Sequence, residues 1–214
     1  MNLKDNYDSL IFDLDGTLWD STEPICKAWN IILVKHPEVN KAPITKEELF
    51  DCMGLPMYDI AAKLLPDQSK EVQKSLMDEM CAFENDYLAE NGAVLYEGLK
   101  DTLDVLKKKY RLFIVSNCQD GYIEAFIKSH NMEEYFEDTE CWGRTRLPKS
   151  ESNKILVQRN NLKNPVYIGD TAGDAKAAKE AGIPFIFAAY GFGEVNESEY
   201  IERIEAVSQL KEIL

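Results

Sequence analysis

Four short apolar runs punctuate the chain, and each stops abruptly at small or polar residues. They are Ser9-Leu10-Ile11-Phe12-Asp13, Arg111-Leu112-Phe113-Ile114-Val115-Ser116-Asn117, Val166-Tyr167-Ile168-Gly169-Asp170 and Pro184-Phe185-Ile186-Phe187-Ala188-Ala189. Unbroken β-branched and aromatic runs of this length predict strands buried on both faces. Between the later runs the apolar positions shift to helical spacing. Leu99, Leu103 and Leu106 share one side of a predicted helix over 99–109, and shorter helices are expected over 120–128 and 155–159. The alanine-rich stretch 172–181 stops at Gly182, a residue suited to a helix C-terminus. Strands alternating with helices imply an α/β fold, with a doubly wound parallel sheet.

The stretch 22–91 breaks this rhythm, having helix-like segments and no strand-like run. In the longest, Val72, Leu76, Met80, Phe83 and Tyr87 recur at helical spacing and predict one packing stripe. Gly54-Leu55-Pro56 reads as a turn between helices. A helical insertion is therefore expected between the first strand and the rest of the sheet. There is no internal repeat or low-complexity segment.

In open parallel sheets, ligands bind beyond the carboxyl ends of the strands. Three of the four runs deliver polar groups there: Asp13 with Asp15, Ser116 with Asn117, and Asp170 with Asp174 just beyond. Singly, each has a bland explanation. A DxD pair often makes a turn, Asp170 could cap the helix from Ala172, Ser116-Asn117 could cap the helix after Asp120, and Lys149 could be a surface lysine. Jointly they predict one shared site. Crowded carboxylates repel and raise one another's pKa. A hard dication relieves that conflict, and an oxygen-only ligand set suits Mg²⁺ rather than zinc or copper. Gly16, beside the pair, permits close backbone approach.

Charge narrows the partners. Among 214 residues, 24 basic against 38 acidic side chains give a formal net charge of −14, which argues against nonspecific binding to nucleic acid or to an anionic membrane. It leaves an anionic substrate open, because a local cation overrides a distant field. The 45% hydrophobic content suits a globular chain. Asp5 and Asp8 stand where a signal peptide would need apolar residues, and no run approaches membrane-spanning length. The five cysteines (26, 52, 81, 118 and 141) lack CxxC spacing. Reduced thiols in a cytoplasmic protein are expected, with a monomer as the simplest state.

These residues resemble the haloacid dehalogenase-like hydrolases, in the phosphoglycolate phosphatase-like branch. Asp13-Leu14-Asp15-Gly16-Thr17-Leu18 with Asp20-Ser21 is similar to that family's first motif. Ser116-Asn117 is similar to the second, Lys149 to the third, and Gly169-Asp170-Thr171-Ala172-Gly173-Asp174 to the fourth. The likeness runs from Asp8 to about Gly193. It implies a Rossmann-like core of residues 1–19 and 92–214, a small α-helical cap over 20–91 inserted after the first strand, and bound Mg²⁺. It implies a phosphatase acting on a small phosphorylated metabolite, with Asp13 as nucleophile and Asp15 as acid and base. Ser116, Asn117, Lys149, Gly16 and Thr17 would hold the phosphate. Asp13, the Asp15 carbonyl and Asp170 would bind metal, with Asp174 either a ligand or a support behind one. The family's third motif commonly reads Lys-Pro; here Lys149 follows proline, and Lys154 and Arg146 are neighbouring cations.

A sugar-phosphate mutase shares all four motifs and would return the phosphate to a sugar hydroxyl. A catalytically silent phosphate-binding module would have lost an acid or the lysine. A receiver-type signalling domain would carry its acidic pair before a mid-sheet acceptor and no helical insertion. Acid at position 15 favours an alkoxide leaving group over a halide, because only the alkoxide wants a proton. Trp19, Thr22, Trp29, Met53, Gly54, Leu55 and Tyr58 are candidate cap or hinge residues, and Arg144 and Arg146 are candidates for steering an anion.

Overall fold

A computed structural model describes Leu3 and residues 6–214; Asp5, invoked above, lies outside the described residues. The central sheet contains β1 (Ser9–Phe12), β4 (Arg111–Ser116), β5 (Asp138–Cys141), β6 (Pro165–Gly169), β7 (Phe185–Ala188) and β8 (Glu202–Ile204). Its order is β5-β4-β1-β6-β7-β8, and every pairing is parallel. All four apolar runs became interior strands. The two strands that hydrophobicity missed, β5 and β8, are the sheet's edges. Their sequences Asp-Thr-Glu-Cys and Glu-Arg-Ile are polar because an edge strand keeps one side in water.

Alternation across the pleat divides the core in two. Leu10, Phe12, Leu112, Ile114, Val166 and Ile168 point to one face, and Ile11, Phe113, Val115, Tyr167, Phe185 and Phe187 to the other. Register aligns Ile11 with Phe113 and with Tyr167, and Tyr167 with Phe185, so one apolar row crosses four strands. The second face is closed by Leu156 and Ala175 from α8 (Lys149–Arg159) and α9 (Ala172–Ala181). On the first face lie α5 (Leu99–Leu106) and α6 (Tyr122–His130), which contribute Leu103, Leu106, Tyr122 and Phe126. The short α7 (Trp142–Thr145) follows β5, and α10 (Leu210–Ile213) packs on α5.

The helical insertion holds α1 (Thr22–Leu33), α2 (Lys46–Phe50), α3 (Met57–Leu64) and α4 (Lys70–Asn91). Where the chain leaves and rejoins the core, β2 (Trp19–Asp20) and β3 (Val94–Leu95) form a two-residue antiparallel ribbon, too short to leave a pattern. The packing stripe expected on α4 needs correction. Val72 is exposed, and Phe83 and Tyr87 are only half-buried. The buried face comprises Leu76, Met77, Met80, Cys81, Glu84 and Leu88. It is wider than one stripe because α4 lies against both α1 and α6. Glu84 stands within it.

The helix expected over 155–159 in fact begins at Lys149. Its first turns bury Lys149, Ser150, Ser152 and Asn153, polar residues that carry no apolar periodicity. The turn at Gly54-Leu55-Pro56 separates α2 from α3 as expected. All five cysteines are free thiols.

Phe113 has no exposed surface at the centre of the second face. Phe113→Ala is expected to lower unfolding free energy by about 3–5 kcal/mol, read from urea midpoints; a loss under about 1 kcal/mol would mean the row is not a tight core.

Candidate active site

Three strand ends converge on one cleft. Asp13 directly follows β1, and its N–H donates to the Ile168 carbonyl at 2.8 Å, carrying the ladder one residue beyond the strand. Asp170 directly follows β6. Thr171 caps α9 in a reciprocal box with Asp174, so Asp170 is not the helix cap. Lys149 heads α8, and its ammonium spans 2.8 Å to Asp13 Oδ1 and 2.7 Å to Asp174 Oδ1. Carboxylate oxygens of Asp13, Asp170 and Asp174 all lie within 4.8 Å of one another, and all three residues are buried. Neither nearby cation competes with Lys149: Lys154 is paired with Glu151, and Arg146 lies over the Trp142 ring.

Three carboxylates against one ammonium leave a buried negative surplus. Burial, then the charge of Asp174, push Asp13 up to about 7 against the pull of Lys149. Burial, then Asp174 and Asp13, hold Asp170 well above the carboxylate range. Burial alone would lower the Lys149 ammonium, but Asp13 and Asp174 more than reverse it, so it stays charged. Asp174 has little capacity to spare. Its Oδ1 accepts from Lys149, and its Oδ2 accepts from Thr171 N at 3.0 Å and Thr171 Oγ1 at 2.7 Å.

Asp15 faces the same cleft from a cage of donors. Its Oδ1 accepts from Trp19 Nε1 at 2.8 Å, from Tyr122 OH at 2.7 Å and from Ser21 Oγ. Burial raises its pKa, and these three donors draw it part of the way back.

Gly16 and Thr17 have a different position from the one expected. The Gly16 N–H donates to Trp19 O at 2.9 Å and the Thr17 N–H to Leu14 O at 3.2 Å, so both belong to the turn rather than facing an anion. Gly16 has φ +79°, and a Cβ there would sit 2.1 Å from Asp170 Oδ2. The close approach it allows is to Asp170. The N–H groups of Leu14 and Asp15 are not used by the turn. Thr17 Oγ1 donates to Asp170 Oδ1 at 3.3 Å, a weak contact.

Ser116 and Asn117 both line the cleft, and the Asn117 amide donates to Gly54 O of the insertion at 2.9 Å. Trp29, Met53, Gly54 and Leu55 line the cleft as well. Trp19 is instead packed among Tyr122, Phe126 and His130, Thr22 bonds to Asp20, and Tyr58 lies against Trp142. Arg144 is neutralised by Asp120 and Glu124, which removes it as an anion-steering residue.

Several groups at the site escaped the sequence reading. Phe192 N donates to Asp170 Oδ2 at 2.7 Å, and a Cβ at Gly191 would strike Asp170; the Gly-Phe-Gly run was a usable signal. Tyr122 and Gln119 gave none. Glu84 was visible only as an acid inside an apolar stripe.

Comparison with known proteins places the chain in a family. The family model for haloacid dehalogenase-like hydrolases matches residues 10–188, and the chain belongs to that family. Phosphoglycolate phosphatase of Rhodobacter capsulatus is 29% identical over 194 residues, covering 86% of this chain and 85% of that protein. Within the family, then, this chain is a phosphoric monoester hydrolase. A haloacid dehalogenase-like hydrolase from Streptococcus pneumoniae superposes with a TM-score of 0.81 at 20% identity, over 97% of this chain and 98% of that one. A predicted phosphoglycolate phosphatase from Haemophilus somnus 129PT does so at 0.84 and 19%, over 98% and 99%. At those identities the two structures speak to the fold alone. No helix among the described residues is long and apolar enough to cross a membrane.

Burial pushes Glu84 up to about 8, against the opposing donors Gln119 and Trp29. A carboxyl raised on folding favours the folded state below its ordinary pKa, and that contribution is lost as pH rises through the folded value. Wild type should therefore lose stability relative to Glu84→Gln between about pH 5 and about pH 8, read from paired urea midpoints. Parallel pH curves for the two proteins would refute this.

Proposed function

We propose that this protein is a Mg²⁺-dependent phosphatase of small phosphate monoesters that works through an aspartyl-phosphate on Asp13. The observation that carries the proposal is the Lys149 bridge between Asp13 and Asp174 beside Asp170. It holds Asp13 Oδ1, and Asp13 lines the cleft.

The donor set fits a hard dication, being oxygen-only, negative in excess and raised in pKa. Asp13 and Asp170, with the Asp15 carbonyl, are the groups we assign to hold it. Asp174 is assigned to brace Lys149, because both its oxygens already accept strong bonds. When bound, Mg²⁺ would neutralise charge on the phosphoryl group and on the acids around it.

In the first step Asp13 Oδ2 attacks phosphorus and the ester P–O bond breaks. The alkoxide takes a proton from Asp15, whose raised pKa suits a carboxyl that must arrive protonated. In the second step Asp15 removes a proton from water, the new oxygen bonds to phosphorus, and the acyl-phosphate P–O bond breaks. Inorganic phosphate leaves and Asp13 is restored. Lys149 screens the approach of carboxylate to phosphate. Ser116 Oγ, the N–H groups of Leu14 and Asp15, and the second amide hydrogen of Asn117 are assigned to the phosphoryl oxygens. Gly16 and Thr17 shape the loop, their N–H groups bonding within the turn and not to the phosphate.

Residues 20–91 act on this reading as a cap. The Asn117–Gly54 bond ties the insertion to the phosphate loop, and closure would exclude water from the first step. Free cysteines suit the reducing cytoplasm.

Release of phosphate from p-nitrophenyl phosphate should require Mg²⁺, stop on chelation, and fall at least about a thousandfold in kcat in Asp13→Asn. Substantial turnover by that variant would remove Asp13 as nucleophile. Because Asp13 lies near 7 without a cation, metal affinity should rise between about pH 6 and about pH 8 as binding displaces its proton. Calorimetry in buffers of different ionisation enthalpy measures this; a flat affinity would argue that Asp13 is not a ligand.

A further inference from the structure

The chemistry assigned above leaves one acid in the cleft unused. Glu84 reaches it from α4, is 1% exposed, and lines the same cleft as Asp13 and Lys149. Its Oε2 accepts from Trp29 Nε1 of α1, and its Oε1 accepts from Gln119 Nε2 at 3.0 Å, from the loop after β4. The Gln119 amide nitrogen also donates to Asn85 Oδ1 at 3.0 Å. Two acceptors on that nitrogen set the orientation of the amide, and its Oε1 is left buried without a partner. An unmet buried acceptor beside a buried carboxylate is costly in an empty site and useful in a filled one.

The remaining wall is apolar, with Ile25, Leu49, Met53 and Ile60 around these groups. Lys149 is the only cation lining this cleft among the described residues, and it is already shared by Asp13 and Asp174. Arg146 belongs to a neighbouring, more open groove and stacks on Trp142. A second anionic group on the substrate would thus find no spare positive charge to offset its desolvation, and would lie against Asp15 and a Glu84 carboxyl that such a charge would oppose ionising. An N–H or O–H group would instead supply the donor that Gln119 Oε1 lacks and share the oxygens of the Glu84 carboxyl.

We propose that Glu84 and Gln119 form the leaving-group subsite, selecting phosphate esters whose alcohol carries an ammonium or hydroxyl donor and rejecting those carrying a carboxylate. The proposal rests on the phosphatase reading above and narrows its substrate class. It separates this chain from the substrate named for its Rhodobacter capsulatus relative, whose alcohol part bears a carboxylate.

The test compares four esters of nearly equal size: phosphoethanolamine, 2-hydroxyethyl phosphate, ethyl phosphate and phosphoglycolate. Their affinities are measured by calorimetry on the Mg²⁺-loaded Asp13→Asn protein, where no turnover intervenes. Phosphoethanolamine or 2-hydroxyethyl phosphate should bind at least about tenfold more tightly than phosphoglycolate, and whichever leads tells a cationic alcohol from a polyol. Adding Glu84→Gln should reduce the lead of the donor esters over ethyl phosphate by about tenfold, and adding Gln119→Met should do so independently. Phosphoglycolate binding as tightly as the donor esters, or a ranking untouched by both substitutions, overturns the proposal. Hydrolysis of p-nitrophenyl phosphate by the wild type is followed in parallel. A silent wild type with the expected binding order overturns the phosphatase reading and upholds the subsite, and the reverse result does the opposite.

Discussion

One buried lysine organises the site. Lys149 is placed between Asp13 and Asp174 with almost no solvent around it, and Asp170 stands beside the pair. Burying an ion pair gains little stability, because desolvation consumes most of the attraction. What the arrangement supplies is position. The end of β1, the start of α8 and the first turn of α9 are tied to one ammonium, so three distant parts of the chain share a register set by hydrogen-bond distances. The pairing is also incomplete: three carboxylates surround one cation. Burial first, and then that imbalance, raises Asp13 and Asp170 and makes the cluster a place where added positive charge is favourable.

Behind the charged groups stands a tightly packed loop system. Gly16 and Gly191 each come so close to Asp170 that a single Cβ would collide with it, and Phe192 donates its N–H to the same carboxylate. Asp170 is thus confined by backbone on two sides, which leaves it few orientations. Such confinement is how a catalytic centre keeps like charges close without the chain relaxing them apart.

The insertion and the core are not independent bodies in packing terms. Trp29, Leu76 and Met80 of the insertion belong to the same apolar cluster as Phe12, Tyr122 and Phe126 of the core. The cleft lies at this junction, with its charged floor from the strand ends and its wall from α1 to α4. On the proposed reading the floor takes the phosphate and the wall meets whatever it is attached to. Glu84 belongs to the wall, which is why it is separate from the metal-type acids in both sequence and partners.

Much of this was legible in the chain alone. The four interior strands declared themselves because burial on both faces demands unbroken apolar runs. Asp13, Asp170 and Asp174 could be grouped because parallel strands must present their carboxyl ends on one side, whereas Lys149 joined them through its likeness to the family's third motif. What was not legible had short-range or tertiary causes. Edge strands β5 and β8 are polar, the β2–β3 ribbon is two residues long, and the first turns of α8 face the site rather than oil. The sequence by itself determined the four interior strands and the polar residues that follow three of them at the sheet's carboxyl end, since periodicity and chain order constrain both. Only the tertiary structure decided that Asp15 is caged by Tyr122 and that Glu84 and Gln119 face the cleft. Those outcomes depend on contacts between segments dozens of residues apart, for which no local pattern exists.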